Sequence, residues 1–77
     1  MNKATRKQIE ELSEQSMELI IAKFEEIRDE EQEKFENLPE GIQVSEKGEA
    51  FESAIESLEE IISELETAKE SMDMFEH

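Results

Sequence analysis

The stretch NLPEGIQVSEKGEAF (residues 37–51) is the only part of the chain where glycine, proline and apolar residues mix without a helical rhythm. Pro39 has no backbone N–H and disfavours helical geometry at Leu38, so a helix arriving from the N-terminal side is predicted to stop at Asn37 or Leu38. Gly41 is expected to supply a backbone conformation that other residues resist. Leu38, Ile42 and Val44 are apolar in a polar connection, which predicts that they fold back as a plug over the helix ends. Ser45 can accept from the free N–H groups of a following first turn, and Glu46 and Glu49 suit the positive helix end. Gly48 weakens that turn, and it stands where a capping box would need Glu or Gln.

On the C-terminal side of this break the apolar residues keep time. Phe51, Leu58, Leu65 and Met72 fall seven apart, Ala54, Ile61, Ala68 and Phe75 form a second row three residues later, and Ile55 and Ile62 widen the stripe. This is the pattern of an amphipathic helix over about 46–74. On the N-terminal side the spacing predicts a helix over about 5–37, with Thr5 or Asn2 as its cap and Ile9, Leu12, Ile20, Phe24, Ile27 and Phe35 as its main stripe. Periodic apolar residues on both sides of the break argue against a disordered acidic tail, although 40% of the residues are charged and 35% hydrophobic.

A short connection makes two such helices antiparallel neighbours. The expected fold is therefore all-α: a single domain over 1–77, a helical hairpin whose Pro/Gly loop spans about 38–45. Four successive apolar residues, Leu19 to Ala22, must face more than one side of a helix. One partner helix would leave some of them wet, and a 77-residue chain has little core to offer. Self-association through Met17, Leu19, Ile20, Ile21 and Phe24 is the expected remedy, giving a homodimer shaped as a four-helix bundle. Partial exposure near the open end of a monomeric hairpin is the competing reading.

Charge narrows the function classes. Lys and Arg number 8 against 23 Asp and Glu, a formal charge of −15. Such a surface repels phosphate backbones and anionic lipid headgroups, which argues against direct nucleic-acid or membrane binding. The sequence has no cysteine, hence no disulfide frame and no thiolate chemistry. The basic start MNKATRK runs into charged helix without a signal-peptide core, and a cytoplasmic location is expected. The single histidine, His77, is terminal, and the serines have no histidine partner in any orderly motif. A di-iron bundle would need interior Glu-x-x-His pairs, and EEQEKFENLPEG does not satisfy the EF-hand pattern. No catalytic residue, metal ligand or cofactor site is expected. Glu31, in apolar register beyond Ile27, reads as a salt-bridge partner of Lys34 or Arg28. Met72, Met74 and Phe75 could make an adaptable docking tip, but the spacing of Met72 favours core packing.

The acids are unevenly placed. Residues 1–37 hold 11 acids and 6 bases, a balance of −5, whereas residues 38–77 hold 12 acids and 2 bases, a balance of −10. Glu49, Glu52, Glu56, Glu59, Glu60, Glu66, Glu70 and Asp73 recur at spacings that predict a negative ridge opposite the apolar stripe. Such a ridge either keeps a small helix soluble or resembles the phosphate rows of nucleic acid and fits a basic groove on another protein.

The segment DEEQEKFENLPEGIQVSEKGEAFESAIESLEEIISELETA (residues 29–68) resembles the small acidic helical proteins common in bacteriophages and prophages of Gram-positive bacteria. EEQEKFENLP and IQVSEKGE carry most of that likeness. The LEE and SELE repeats are features of any acidic helix. The resemblance implies a phage setting and a host-cell cytoplasm, and it favours a non-catalytic binding protein that inhibits a host defence or nucleic-acid-handling protein. A structural oligomerisation module is the alternative. No functional residue is carried over from the resemblance.

Overall fold

In a computed structural model, which describes residues 1–76, the chain is all-helical, with no strand among those residues, and elongated, measuring 58 × 15 × 13 Å. The order is α1 (Lys3–Glu11), a π-helical stretch (Leu12–Met17), α2 (Glu18–Glu36), the single turn α3 (Glu40–Gln43), α4 (Glu46–Asp73) and a closing 3-10 turn (Met74–Glu76). His77 lies outside the described residues.

The first helix begins at Lys3 rather than near residue 5, because Asn2 takes the cap. Its extended backbone lets Oδ1 accept from the Thr5 N–H at 2.8 Å. The helix does not run evenly to residue 37. At Glu18 the backbone N–H bonds to Ser13 O, five residues back. Residues four apart drift around a helix of 3.6 residues per turn; the wider turn rotates less per residue and cancels that drift. Ile9, Ser13, Met17 and Ile21 thus all lie buried or half-buried along one line.

α2 stops at Glu36 and Asn37 closes it, the Asn37 N–H bonding to Glu33 O at 3.0 Å and the Leu38 N–H to Phe35 O at 3.1 Å. Pro39, with φ −57° and ψ 148°, turns the chain and opens α3. The predicted loop therefore contains a helical turn, and three expectations for it change. Gly41 needs no special conformation, since no described glycine has a positive φ. The apolar plug does not form: Val44 is 80% exposed, Ile42 is exposed and Leu38 half-buried. The end of α2 is closed by a polar side chain instead, with Gln43 Nε2 reaching the carbonyls of Phe35 (3.2 Å), Glu36 (3.4 Å) and Leu38 (3.0 Å). Ser45 caps α4 by position only; its hydroxyl donates backward to Ile42 O rather than accepting from the helix. Gly48 is the constrained glycine. It is buried, and an added Cβ would lie 1.9 Å from Gln43 O.

α2 and α4 lie side by side with residue numbers running in opposite directions. Ser13 meets Asp73, Glu18 meets Lys69, and Gln32 and Phe35 share a groove with Ile55 and Glu59. The facing residues of α4 are Phe51, Ile55, Leu58, Ile62, Leu65, Lys69 and Met72, alternating four and three apart. Those of α2 and its end are Ile21, Phe24, Arg28, Glu31, Phe35 and Leu38, with the same alternation. All are buried or half-buried, as in a coiled-coil seam. This corrects both predicted stripes. Ala54, Ile61, Ala68 and Phe75 are exposed, whereas Ile55 and Ile62 are buried; Leu12, Ile20 and Ile27 are exposed, whereas Ile21 is buried. Among the described hydrophobic residues only Ile21, Ile55 and Ile62 are buried.

Candidate interaction surfaces

A seam of this kind gives the helical pair two flanks. The positions just before Ile21, Arg28 and Phe35 are Ile20, Ile27 and Lys34; those just before Ile55, Ile62 and Lys69 are Ala54, Ile61 and Ala68. Helices running in opposite directions put these two sets on the same side. A groove lined by Glu31, Lys47, Ala50, Phe51 and Ala54 opens there. The residues after Phe24 and Glu31 are Glu25 and Gln32, and those after Phe51, Leu58 and Leu65 are Glu52, Glu59 and Glu66. Gln32, Glu52, Glu56 and Glu59 line a groove on this second flank. One flank is thus apolar and the other acidic.

The acidic flank is nearly uncompensated. Between Gly48 and Ala68 the chain carries seven acids and no base. Other carboxylates have partners: Lys23 with Glu26 at 3.5 Å, Arg28 with Asp29 at 3.2 Å and Lys34 with Glu31 at 3.0 Å. The Glu31 hydrogen bond holds the Lys34 ammonium above its ordinary pKa. Glu49, Glu52, Glu56, Glu59, Glu60, Glu66 and Glu70 are exposed and make no ion pair among the described residues. Like charges three and four apart on one helix repel, at about 0.2–0.5 kcal/mol per pair. Asp73 stands apart from this ridge. It accepts from the wholly buried Ser13 hydroxyl, and Lys69 Nζ lies 2.9 Å from its other oxygen and 3.6 Å from Glu18. The Ser13 bond first, and Lys69 second, hold the Asp73 carboxyl below its usual range. Asp73 in turn is the chief reason that Lys69 is raised. This cluster ties the end of α4 to the π-helical stretch and leaves the ridge to the seven glutamates.

The residues expected to carry self-association are divided. Leu19 and Ile20 are 58% and 42% exposed, Met17 and Phe24 are half-buried in the seam, and Ile21 belongs to the chain's own core. Sequence reasoning placed Ile27 and Ile61 in the core, although they lie on the open apolar flank. The signal was present in two adjacent apolar rows, together too wide for one partner helix. At the open end Phe75 sits with Met1, Lys3, Arg6, Lys7 and Glu10, a cationic tip that charge counting over whole halves concealed. Met74 is exposed there and Met72 half-buried.

Among the described residues no group of three or more His, Asp or Glu side chains is arranged to hold a metal ion. Among those residues, too, no helix is long and apolar enough to cross a membrane. Comparison with models of known protein families, with curated proteins and with solved structures returns no match.

Proposed function

We propose that the protein is a non-catalytic acidic binding protein, an antiparallel helical hairpin that pairs with itself and offers its glutamate flank to a basic surface on another protein. In the phage setting suggested by residues 29–68, that partner is a host defence or nucleic-acid-handling protein in the cytoplasm. The hairpin inhibits it by filling the groove that would otherwise hold a phosphate backbone. The observation that carries this reading is the collection of Glu52, Glu56, Glu59 and Glu66 on one flank, within a run of seven acids and no base. Carboxylates kept only for solubility gain nothing from being gathered there at the cost of mutual repulsion.

The test is charge reversal of Glu52, Glu56, Glu59 and Glu66 to Lys, with binding of host proteins to the immobilised variant compared with the unaltered protein. Helicity should persist, because all four side chains are exposed. The expected result is loss of a basic partner that rising salt also releases from the unaltered protein, and displacement of nucleic acid from that partner by the unaltered protein alone. Undiminished capture by the helical variant refutes the reading. A second reading, an oligomerisation module without a basic partner, draws on the exposed apolar flank and predicts self-assembly with no salt-sensitive partner.

A further inference from the structure

We infer that the flank bearing Ile20, Ile27, Ala54, Ile61 and Ala68 is covered by a second copy of the chain, with α2 of each copy lying over α4 of the other about a twofold axis parallel to the rods. The inference rests on the self-pairing proposed above and says which surface performs it.

The exposed area is what a dimer would remove. A folded monomer of 9.0 kDa exposes about 4,900 Å² on the usual scaling of surface with mass. This chain exposes 5791 Å², an excess of about 900 Å² over that scaling. Each partner in a standard specific interface contributes about 800 Å². One side of a rod 58 Å long and 13–15 Å wide has an area of that order. The excess surface and the surface a dimer would remove match.

Charge selects the flank. A second copy approaching the acidic flank would set Glu52, Glu59 and Glu66 against acids, a repulsion that a chain of net −15 has few cations to offset. On the apolar flank that conflict is smaller: the α2 rim carries Lys23 and Glu30, and the α4 rim carries Glu64 between Ser57 and Ser71. Lys23 stands three residues after Ile20 and four before Ile27, and so shares their face of α2; Glu64 stands three after Ile61 and four before Ala68, and so shares their face of α4.

Register selects the orientation. Glu18 lies level with Lys69, so with the helices running oppositely Lys23 is level with Glu64, Ile27 with Ile61, and Ile20 with Ala68. A twofold axis along the rods keeps these levels while placing α2 of one copy over α4 of the other. Ile27 then meets Ile61, Ile20 meets the small Ala68, and Lys23 meets Glu64, each across the interface. A twofold axis across the rods would instead stack α2 on α2, separating Ile27 from Ile61 and Lys23 from Glu64.

The test combines sedimentation with oxidative cross-linking, which is clean because the chain has no cysteine. The unaltered protein at micromolar concentration should sediment at twice its 9.0 kDa chain mass; a single 9.0 kDa species overturns the self-pairing itself. Ile27→Glu and Ile61→Glu, at positions 44% and 36% exposed, should each weaken dimerisation at least tenfold. Undiminished dimers in both variants would leave self-pairing standing and overturn this face. A mixture of Ile27→Cys and Ile61→Cys chains should form an interchain disulfide several-fold faster than either variant alone. Faster cross-linking of Ile27→Cys with itself overturns the orientation.

Discussion

Gly41 and Gly48 lie seven residues apart, both at helical positions, yet alanine should act on them with opposite sign. Replacing glycine by alanine in a helix ordinarily stabilises by about 1 kcal/mol, through reduced freedom of the unfolded chain. At Gly41 no neighbouring atom lies within 4 Å of the new Cβ and φ is not positive, so Gly41→Ala should gain about 0.5–1 kcal/mol. At Gly48 the Cβ would stand 1.9, 2.4 and 2.7 Å from the O, C and Cα of Gln43, all backbone atoms that no side-chain rotation can move aside. Restoring ordinary contact needs a shift of about 1.5 Å between α3 and α4. That shift takes Gln43 from the carbonyls of Phe35, Glu36 and Leu38 and the Ser45 hydroxyl from Ile42. At about 1 kcal/mol for each hydrogen bond, losing two or three of them outweighs the helix gain. Gly48→Ala should therefore destabilise by about 1–3 kcal/mol, within the range found for overpacking. Since 1 kcal/mol moves the midpoint of a domain this size by about 4–8 °C, thermal melts followed by circular dichroism should separate the two variants by roughly 8 °C or more. The chain concentration must be held equal, because association shifts the midpoint. A Gly48→Ala protein melting at or above Gly41→Ala would refute the claim that the α3–α4 junction is held by close backbone approach.

Two further outcomes follow from polar contacts. Because the folded Asp73 carboxyl lies below its unfolded value, its contribution is present above about pH 4 and is lost as pH falls through the folded pKa. Raised Lys69 behaves conversely, contributing fully below about pH 10 and losing that contribution as pH rises through its folded value. The stability gap between the unaltered protein and Asp73→Asn, measured by urea unfolding, should thus be widest between those limits and narrow in acid; a gap constant with pH would refute the Ser13–Asp73–Lys69 account. Gln43→Ala should cost about 1–2 kcal/mol by leaving the end of α2 uncapped, whereas Val44→Ser, at a residue 80% exposed, should stay within about 0.5 kcal/mol of the unaltered protein. The reverse order would restore Val44 as a plug.

The break at Pro39 and the inward row Phe51, Leu58, Leu65 and Met72 were legible because each follows from a local rule: a missing N–H in one case, a seven-residue period in the other. The choice between the neighbouring rows 54/61/68 and 55/62/69 was not. Both have the right period, and the first is wholly apolar while the second contains Lys69. Hydropathy therefore favours the wrong one. Lys69 turns toward the seam because Glu18 and Asp73 meet its ammonium; Asp73 is a neighbour one turn on, but Glu18 is a long-range partner that no window on α4 contains. Nothing local separates Ser13 from the other serines, because its acceptor lies 60 residues away. Among the ridge residues, spacing alone could not separate Asp73 from the seven exposed glutamates. The roles of the two glycines were inverted because a backbone approach between α3 and the start of α4 leaves no mark on composition.

The six residues Leu12–Met17 act as a phasing joint. A regular rod drifts out of phase with its partner unless it coils around it, and here the phase is reset once before the seam of α2 begins. Deleting one residue there would let a regular helix close up with its phase kept, whereas holding all six residues in α geometry would rotate everything upstream by about 100°. The side bearing Ile9 would swing off α4 while α2 stayed in place. Along the first rod, this is where the number of residues, more than their chemistry, governs which side faces inward.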